Sequence, residues 1–329
     1  MVNISTGKSR LKAAALLVLS TCSVSLAQDR VFRVFNTQTV LAATQKQHPE
    51  YAKKLESFEN AVAELTSSGE ANQVCRVPVL FHLLGADAAK LPDESQVRFQ
   101  LEVLNKYFGS YEPDQTKGNE AIEKFSAFGA SPDIQFYIPE AFAGVKGINI
   151  VKTNKNIFDI TNQMQDPKSG GFAAVDANRI VNIWVGNLDG YNAGYAQLPG
   201  APRELDGIVI DPDFFGNEKG TAKAPYTQGK TLVHLMGSYL GLYELWNQEN
   251  PCADDHVMDT PPHGGPTQEV DIKDNLRVIT TCHGYILAMF MNFMDNTDDQ
   301  YMSMFTKGQK DRMRATLAEG APRNGLVTK

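Results

Sequence analysis

One apolar stretch constrains the fold of this chain more than any other segment, and it reads TLVHLMGSYLGLYELW over residues 231–246. In a helix, residues four positions apart face the same way, so positions 234 and 238 share one face. Gly241 then allows the chain to leave the helix. The stretch therefore predicts a helix that ends in a turn, with the side chains of positions 234 and 238 on one face.

The length and composition of the chain are those of a globular protein. It has 329 residues, of which 42% are hydrophobic and 21% are charged. One large domain with a small appendage, or two domains, can bury a core at this size. The formal net charge is -7, and no long stretch is rich in Lys and Arg. No nucleic-acid partner is expected, because nothing strongly basic is available to neutralise phosphates.

The N-terminus carries the pattern of a secretory signal. Lys8, Arg10 and Lys12 precede an apolar run over residues 13–27, which ends in Ser-Leu-Ala. We therefore predict a cleaved signal peptide over residues 1–27 and a secreted location, either periplasmic or extracellular. No later segment reaches about eighteen uncharged apolar residues, so no membrane span is expected.

Export places the mature chain in an oxidising compartment, where cysteines pair. Cys22 leaves with the signal, so three cysteines remain. The favoured disulfide joins Cys252 to Cys282 and leaves Cys75 outside the pairing. It closes a loop of about thirty residues, which stabilises a fold by roughly 3 kcal/mol on the loop-entropy model.

Hydrophobic periodicity predicts a helical region near the N-terminus. Leu55, Phe58 and Val62 recur at helical spacing over residues 51–65, with charged residues between them. A polar segment containing Ser and Gly follows and ends the helix. Residues 28–74 are therefore predicted to form a separate N-terminal region.

The rest of the chain has the pattern of an α/β domain. Short apolar runs predict strands over residues 77–84, 134–138, 147–151 and 180–185, and helical spacing predicts a helix over 94–107. Glycines and prolines from 186 to 220 predict a long loop that only the apolar stretch 207–210 interrupts. This order predicts an α/β (α+β) fold with a twisted mixed sheet.

Several long segments carry a resemblance to a known family. They read RVPVLFHLL at 76–84, VNIWVGNLDGYNAGYAQLPG at 181–200, LDGIVID at 205–211 and MNFMDNTDDQYMSMFTKGQKDRM at 291–313. Together with the stretch at 231–246, they resemble the pappalysin type of metzincin metallopeptidase. The resemblance implies a metallopeptidase-fold domain over 75–329, with a cleft between an upper half of sheet and long helices and a helical, loop-rich lower half. It also implies that 28–74 is similar to a pro-segment.

Metzincins hold zinc with the pattern H-E-x-x-H-x-x-G-x-x-H, and a methionine turn lies beneath the metal. This chain keeps part of that pattern and departs from the rest. His234 matches the first ligand, Gly241 matches the turn, and Met294 matches the turn methionine. The departures are Leu235 at the carboxylate position, Ser238 and Glu244 at the second and third ligands, and Asn296 where a tyrosine is usual.

These departures predict that the zinc site is lost. The carboxylate passes a proton from zinc-bound water to the leaving amine, and leucine cannot do so. We expect a pseudopeptidase, which binds a peptide or protein or has a regulatory role. Two alternatives stay open, namely an active secreted zinc metalloendopeptidase with altered ligands and a structural envelope protein. His234 is then either a residual zinc ligand or a buried histidine with an ordinary hydrogen bond.

An acidic loop leaves a second metal open. The spacing suits calcium for four residues of this loop, which are Asp254, Asp255, Asp259 and Thr260. The resemblance also implies a calcium site near this loop. The alternative is that these residues are surface charges in turns. Asp298 and Asp299 are expected to cap a helix that contains Met302. The spacing of His256, His263 and His283 is not that of a recognised zinc site.

Overall fold

The coordinates are a computed structural model, in which residues 31–65, 73–113, 119–247, 249–267, 279–280, 282, 284 and 286–328 are described. All of these residues belong to one compact unit that begins at Val31. The predicted signal peptide, residues 1–27, lies outside the described residues.

A mixed sheet forms the centre of the molecule. Its strand order is β1-β9-β10-β8-β2-β4, and β7 also pairs with β2. Strand β9 runs antiparallel to β10, whereas β1 is parallel to β9 and the remaining pairs are parallel. The strands are β1 Val34–Phe35, β2 Cys75–Gly85, β3 Gly129–Ala130, β4 Ile134–Tyr137, β5 Ala141–Phe142, β6 Val145–Lys146, β7 Ile148–Lys152, β8 Val181–Val185, β9 Asn192–Ala196, β10 Ile208–Ile210, β11 Ile279–Thr280, β12 Ile286–Leu287 and β13 Phe305–Thr306.

Helices cover this sheet and pack against one another beside it. They are α1 Thr37–Gln47, α2 Pro49–Leu65, α3 Glu94–Gly109, α4 Glu120–Phe125, α5 Lys230–Tyr239 and α6 Lys307–Leu317. Asp93 caps α3 by accepting a hydrogen bond from the Gln96 N–H at 3.0 Å. Thr306 and Gln309 form a capping box at the start of α6. The main core lies between the sheet, α3, α5 and α6.

The strands and helices predicted from the apolar patterns are confirmed. The near-continuous apolar run of β2 is buried on both faces, as is usual for a central strand with parallel neighbours. One prediction was wrong, because β9 lies inside the region expected to be loop. Its small residues allow close packing: a Cβ at Gly194 would lie 2.2 Å from the Val209 carbonyl oxygen of β10. Apart from Tyr195, this strand lacks the bulky or β-branched side chains on which strand prediction depends.

The described part of the N-terminal region contains β1, α1 and α2, and it packs on the remainder of the unit. The Tyr51 hydroxyl donates to the Leu198 carbonyl oxygen at 2.9 Å. Arg312 of α6 donates to both carboxylate oxygens of Glu59 at 2.6 and 2.8 Å. Helix α2 is therefore joined to the C-terminal helix. The boundaries at 28 and 74 stay predictions.

Candidate functional site

Helix α5 presents His234, the first residue of the metzincin-like pattern, from the middle of the core. All of its residues are buried. The Nδ1–H of His234 donates to the Phe293 carbonyl oxygen at 2.8 Å, which leaves the lone pair of the neutral ring on Nε2. Burial lowers the pKa of His234, so the ring stays neutral. Its Nε2 has no hydrogen-bond partner within the described residues.

The two other ligand positions lie close to this imidazole. Ser238 is one turn further along α5, and its buried hydroxyl also has no hydrogen-bond partner in the described part of the chain. The chain leaves the helix at Gly241, which has φ +94°. A Cβ there would lie 2.7 Å from the Phe58 ring, so only glycine fits. The turn returns Glu244, whose Oε1 stands 3.8 Å from His234 Nε2.

Leu235 occupies the position where the resemblance implies a catalytic carboxylate. It is fully buried and belongs to the main apolar core. Its Cδ1 lies 3.0 Å from where a Cβ of Gly194 would stand, so the side chain packs against strand β9. The side chain therefore makes an apolar contact at this position and offers no group that exchanges protons.

Met294 and Asn296 lie below α5 on the methionine turn. Met294 is fully buried, and its Sδ is 2.8 Å from where a Cβ of Gly237 would be. Asn296 holds residue 33 of the N-terminal region through two hydrogen bonds. Its Nδ2 donates to the Arg33 carbonyl oxygen at 3.0 Å, and its Oδ1 accepts from Arg33 Nε at 3.0 Å.

The N-terminal strap, residues 31–36, fills the cleft beside α5. Its strand β1 extends the sheet at β9, with Phe35 opposite Gly194. The Arg33 side chain is wholly buried and pairs with the equally buried Asp299, at 2.9 Å between Nη1 and Oδ1. The same Nη1 donates to Thr231 Oγ1 at 3.1 Å. The guanidinium carbon is also 4.4 Å from the centroid of the Tyr226 ring, which is cation–π distance.

The sequence predicted that Asp299 caps a helix containing Met302, and this prediction was wrong, because no helix is found there. Its Oδ1 accepts from Arg33, and its Oδ2 accepts from the Gln228 N–H at 2.9 Å, just before α5. The expectation failed because the partner of this carboxylate comes from the other end of the chain, which local spacing cannot show.

Phe35 covers the imidazole of His234. The two ring centroids are 3.6 Å apart and the planes are inclined by 2°. Sequence analysis missed this contact, as well as the role of Arg33. No local pattern in the stretch Val34-Phe35-Asn36-Thr37 signals either contact.

The donor set at the three motif positions does not fit the zinc that the resemblance implies. Catalytic zinc is held by three strong nitrogen, sulfur or carboxylate ligands, most often with two or more histidines. This chain supplies one imidazole nitrogen, one carboxylate and one neutral hydroxyl. Among the described residues, no group of three His, Cys, Asp or Glu side chains is placed to hold a metal ion.

The residues considered for calcium are engaged in local hydrogen bonds. Asp255 is buried and accepts from the Val257 N–H at 3.1 Å and from the Thr260 hydroxyl at 2.8 Å. Burial raises the pKa of Asp255 to about 7. Asp254 accepts from the His256 N–H at 2.9 Å in a turn.

Asp259 points away from this turn and towards the start of α6. It accepts from the Thr306 hydroxyl at 2.7 Å and from the Gly308 N–H at 2.9 Å. A carboxylate at this place stabilises the helix N-terminus. Calcium binding by the four residues stays a prediction.

The predicted disulfide between Cys252 and Cys282 is present. In the same loop region, His263 Nε2 accepts from the Met289 N–H at 3.1 Å, and its Nδ1 faces Asp295 Oδ2 at 3.3 Å. Burial would raise the pKa of Asp295, but the facing His263 ring and the Thr267 N–H, which donates to Asp295 Oδ1 at 3.0 Å, hold that pKa below its usual range. His283 lies outside the described residues.

Comparisons with known proteins point to metallopeptidases. Residues 172–318 match the family described as pregnancy-associated plasma protein-A. An extracellular metalloprotease of Arthroderma otae is 28% identical over 235 residues, which are 60% of this chain and 79% of that protein. A second one from the same organism is 31% identical over 137 residues, so the chain spans about half of its length.

Solved structures extend the similarity to the fold. Mature mirolysin of Tannerella forsythia, in complex with a cleaved peptide, matches with a TM-score of 0.68 and 28% identity. The match covers 79% of this chain and 100% of the mirolysin chain. A promirolysin mutant from the same organism has a TM-score of 0.73 and 27% identity, and it covers 90% of this chain and 100% of that one. None of the helices described here is long and apolar enough to cross a bilayer.

Proposed function

Since the chain belongs to the pappalysin-type metzincin family, we propose that it is an exported pseudopeptidase with a cleft closed by its own N-terminal strap. It does not hold a catalytic zinc, and it does not cleave peptides. Its role is to bind a peptide or protein, or to regulate one. The extracellular relatives and the disulfide support the exported location.

The observation that carries this proposal is the chemistry at the motif positions. Zinc binding contributes roughly 10–16 kcal/mol over four ligands in structural sites. Replacing two imidazoles by a hydroxyl and a carboxylate removes several kcal/mol of it, or many decades of affinity. General-base transfer supplies roughly 100- to 10,000-fold of the rate, and buried Leu235 supplies none of it.

The strap limits how the cleft can be used. A peptide that adds a strand at β9 uses backbone groups and needs no metal, but β1 already pairs with that strand. The larger share of this chain covered by promirolysin than by the mature enzyme, 90% against 79%, supports a likeness of the N-terminal region to a pro-segment. A partner peptide therefore binds at β9 only where the strap has left.

One observation favours the rival proposal of an active enzyme with an altered ligand set. Metal-binding histidines usually donate their second ring N–H to a carbonyl or carboxylate, and His234 does this with the Phe293 carbonyl oxygen. Its bare Nε2 also faces Glu244 Oε1 at 3.8 Å. Even with an ion between these two atoms, the position after His234 has no base.

Metal analysis of the purified protein separates the two proposals. We expect less than about 0.1 equivalent of zinc after dialysis against micromolar zinc, since the donor set is weak. We also expect no cleavage of casein or of a peptide library. One equivalent of zinc together with cleavage that a chelator abolishes would establish the rival instead.

A restoration series tests the placement of the motif. The variant carrying Leu235→Glu, Ser238→His and Glu244→His should bind zinc, because it rebuilds the three-histidine set and the base. The matched control carries only Ser238→His and Glu244→His, and it should bind zinc without gaining cleavage. Cleavage by the triple variant should stay weak, because Asn296 replaces the usual tyrosine and the strap covers β9. If neither variant bound zinc, the helix would not place these positions as proposed.

A further inference from the structure

The surface over His234 has the features of a pocket for an aromatic ring. Phe35 lies flat on the imidazole, with 3.6 Å between centroids, and is only 7% exposed. Trp246 lies on the border of the same pocket, 6.3 Å from the imidazole centroid. The Arg33 guanidinium is 5.0 Å from the centre of the Phe35 ring. Burial of apolar ring area against a flat face and a nearby cation are both favourable for an aromatic side chain.

The hydrogen bonding of His234 suits this contact. Its Nδ1–H donates to the Phe293 carbonyl oxygen at 2.8 Å, in the plane of the ring, and the side chain is fully buried. The polar atoms of the imidazole therefore lie at its rim, and its flat face is left for apolar contact.

The neighbouring strand leaves room for the ring. Phe35 stands opposite Gly194 in the register between β1 and β9, and Gly194 has no side chain beside it. A Cβ at Gly194 would clash with the Val209 carbonyl oxygen. Because β9 cannot carry a side chain at this register position, only the extended segment that pairs with β9 can supply a large side chain there.

A route from solvent reaches the same place. A cleft of about 200 Å³ lies between α1 and the chain after α5, and Phe35, Gln38, Tyr243 and Glu244 are among its lining residues. Gln38 Nε2 donates to Glu244 Oε2 at 2.7 Å across it. Phe35 thus borders this cleft, through which a small ligand can enter when the ring is removed.

We propose that the face of His234 is a binding site for an aromatic side chain of an extended segment on β9, and that Phe35 is its resident occupant. The inference rests on the proposed function, because it requires His234 without zinc. It adds the chemical class of the ligand: a partner that replaces the strap must present an aromatic residue opposite Gly194.

Benzene binding to the Phe35→Ala variant tests the proposal. Deleting the ring leaves a cavity against the imidazole. An engineered apolar cavity of about 150 Å³ is known to bind benzene. Saturating benzene should raise the Tm of this variant by roughly 4–8 °C, and the Tm of the unmodified protein should not change. Benzene should also bind about two- to tenfold more tightly than cyclohexane, because ring stacking adds to apolar burial.

Two controls locate the ligand. Phe58→Ala removes another buried ring, in α2, and Phe32→Ala removes a half-exposed one. The NMR signals of the His234 ring, in protein labelled on histidine, should shift with benzene in Phe35→Ala and in neither control. A Tm increase without movement of the His234 signals would overturn the proposal, as would equal affinity for cyclohexane.

The remaining outcomes are also decisive. If Phe35→Ala does not fold alone, benzene in the refolding buffer should increase the yield of folded protein, and Phe35→Leu should fold without it. No increase in yield would overturn the proposal. Zinc is measured in every sample: stoichiometric zinc refutes the proposed function, whereas zinc-free protein that ignores benzene refutes only the aromatic site.

Discussion

Replacing Arg33 with alanine tests how the strap is held in the cleft. The guanidinium donates to Asp299 Oδ1 at 2.9 Å, Asn296 Oδ1 at 3.0 Å and Thr231 Oγ1 at 3.1 Å. Neither side chain of the Arg33–Asp299 pair is exposed. Removing one partner of a buried pair costs about 3–5 kcal/mol, mainly because the other charge stays buried without compensation. In a domain of this size the loss lowers the Tm by roughly 6–10 °C.

The assay is thermal unfolding followed by circular dichroism, combined with hydrogen exchange of residues 31–47. Exchange should quicken first in this segment, because β1 and α1 lose their main anchor. A second variant, Arg33→Ala with Asp299→Asn, should recover part of the lost Tm, since it removes the uncompensated charge. This recovery distinguishes the electrostatic cause from a simple loss of packing.

A matched control is Arg98→Ala. Arg98 pairs with Glu94 one turn away on α3, and both side chains are more than half exposed. Exposed pairs of this kind contribute about 0.3–0.5 kcal/mol, so the Tm should barely move. If Arg33→Ala lowered the Tm no more than Arg98→Ala, the buried pair would not be what holds the strap.

Two further predictions concern the loop region. Burial raises the pKa of Asp255 from 3.8 to about 7. Between pH 4 and 7 the folded state therefore keeps a proton on Asp255 that the unfolded state releases. The free energy of unfolding should fall as the pH rises through this range, by at most about 1.4 kcal/mol per pH unit. Thermal scans across this range should show a smaller fall for Asp255→Asn, and loss of the fall on adding calcium to the unmodified protein would indicate a calcium site. Replacing Cys252 and Cys282 with serine should cost about 3–4 kcal/mol for a separation of 30 residues, measured by urea unfolding, and an unchanged midpoint would contradict it.

Features set by interactions between residues close in sequence could be predicted, whereas features set by contacts between distant residues could not. The helix over 231–239 and the turn at Gly241 follow from local spacing, and the structure has both. The disulfide also agreed with the prediction. Strand β9 was not predicted, because its pairing depends on close approach to β10, and Tyr195 is the only one of its five residues with a side chain typical of strands.

The acidic residues show the same division. Asp255 forms the expected turn, but Asp259 accepts hydrogen bonds from residues near 306, and Asp299 binds Arg33. Asp259 is only four residues from Asp255, in the pattern that suggested a shared ion. The partners of Asp259 and Asp299 are far away in the chain, so spacing alone cannot show which residues meet.

The amino-acid sequence by itself determined which chemical groups are present at the motif: one imidazole at His234, no base at Leu235, a neutral hydroxyl at Ser238 and a carboxylate at Glu244. Only the tertiary structure decided what surrounds them. The pairing of β1 with β9 brings together residues far apart in the chain, and it places Arg33 on Asp299 and Phe35 on His234. Such contacts depend on which strands pair and in which register, which only the folded sheet determines. The identity of each side chain at the motif needs no such information.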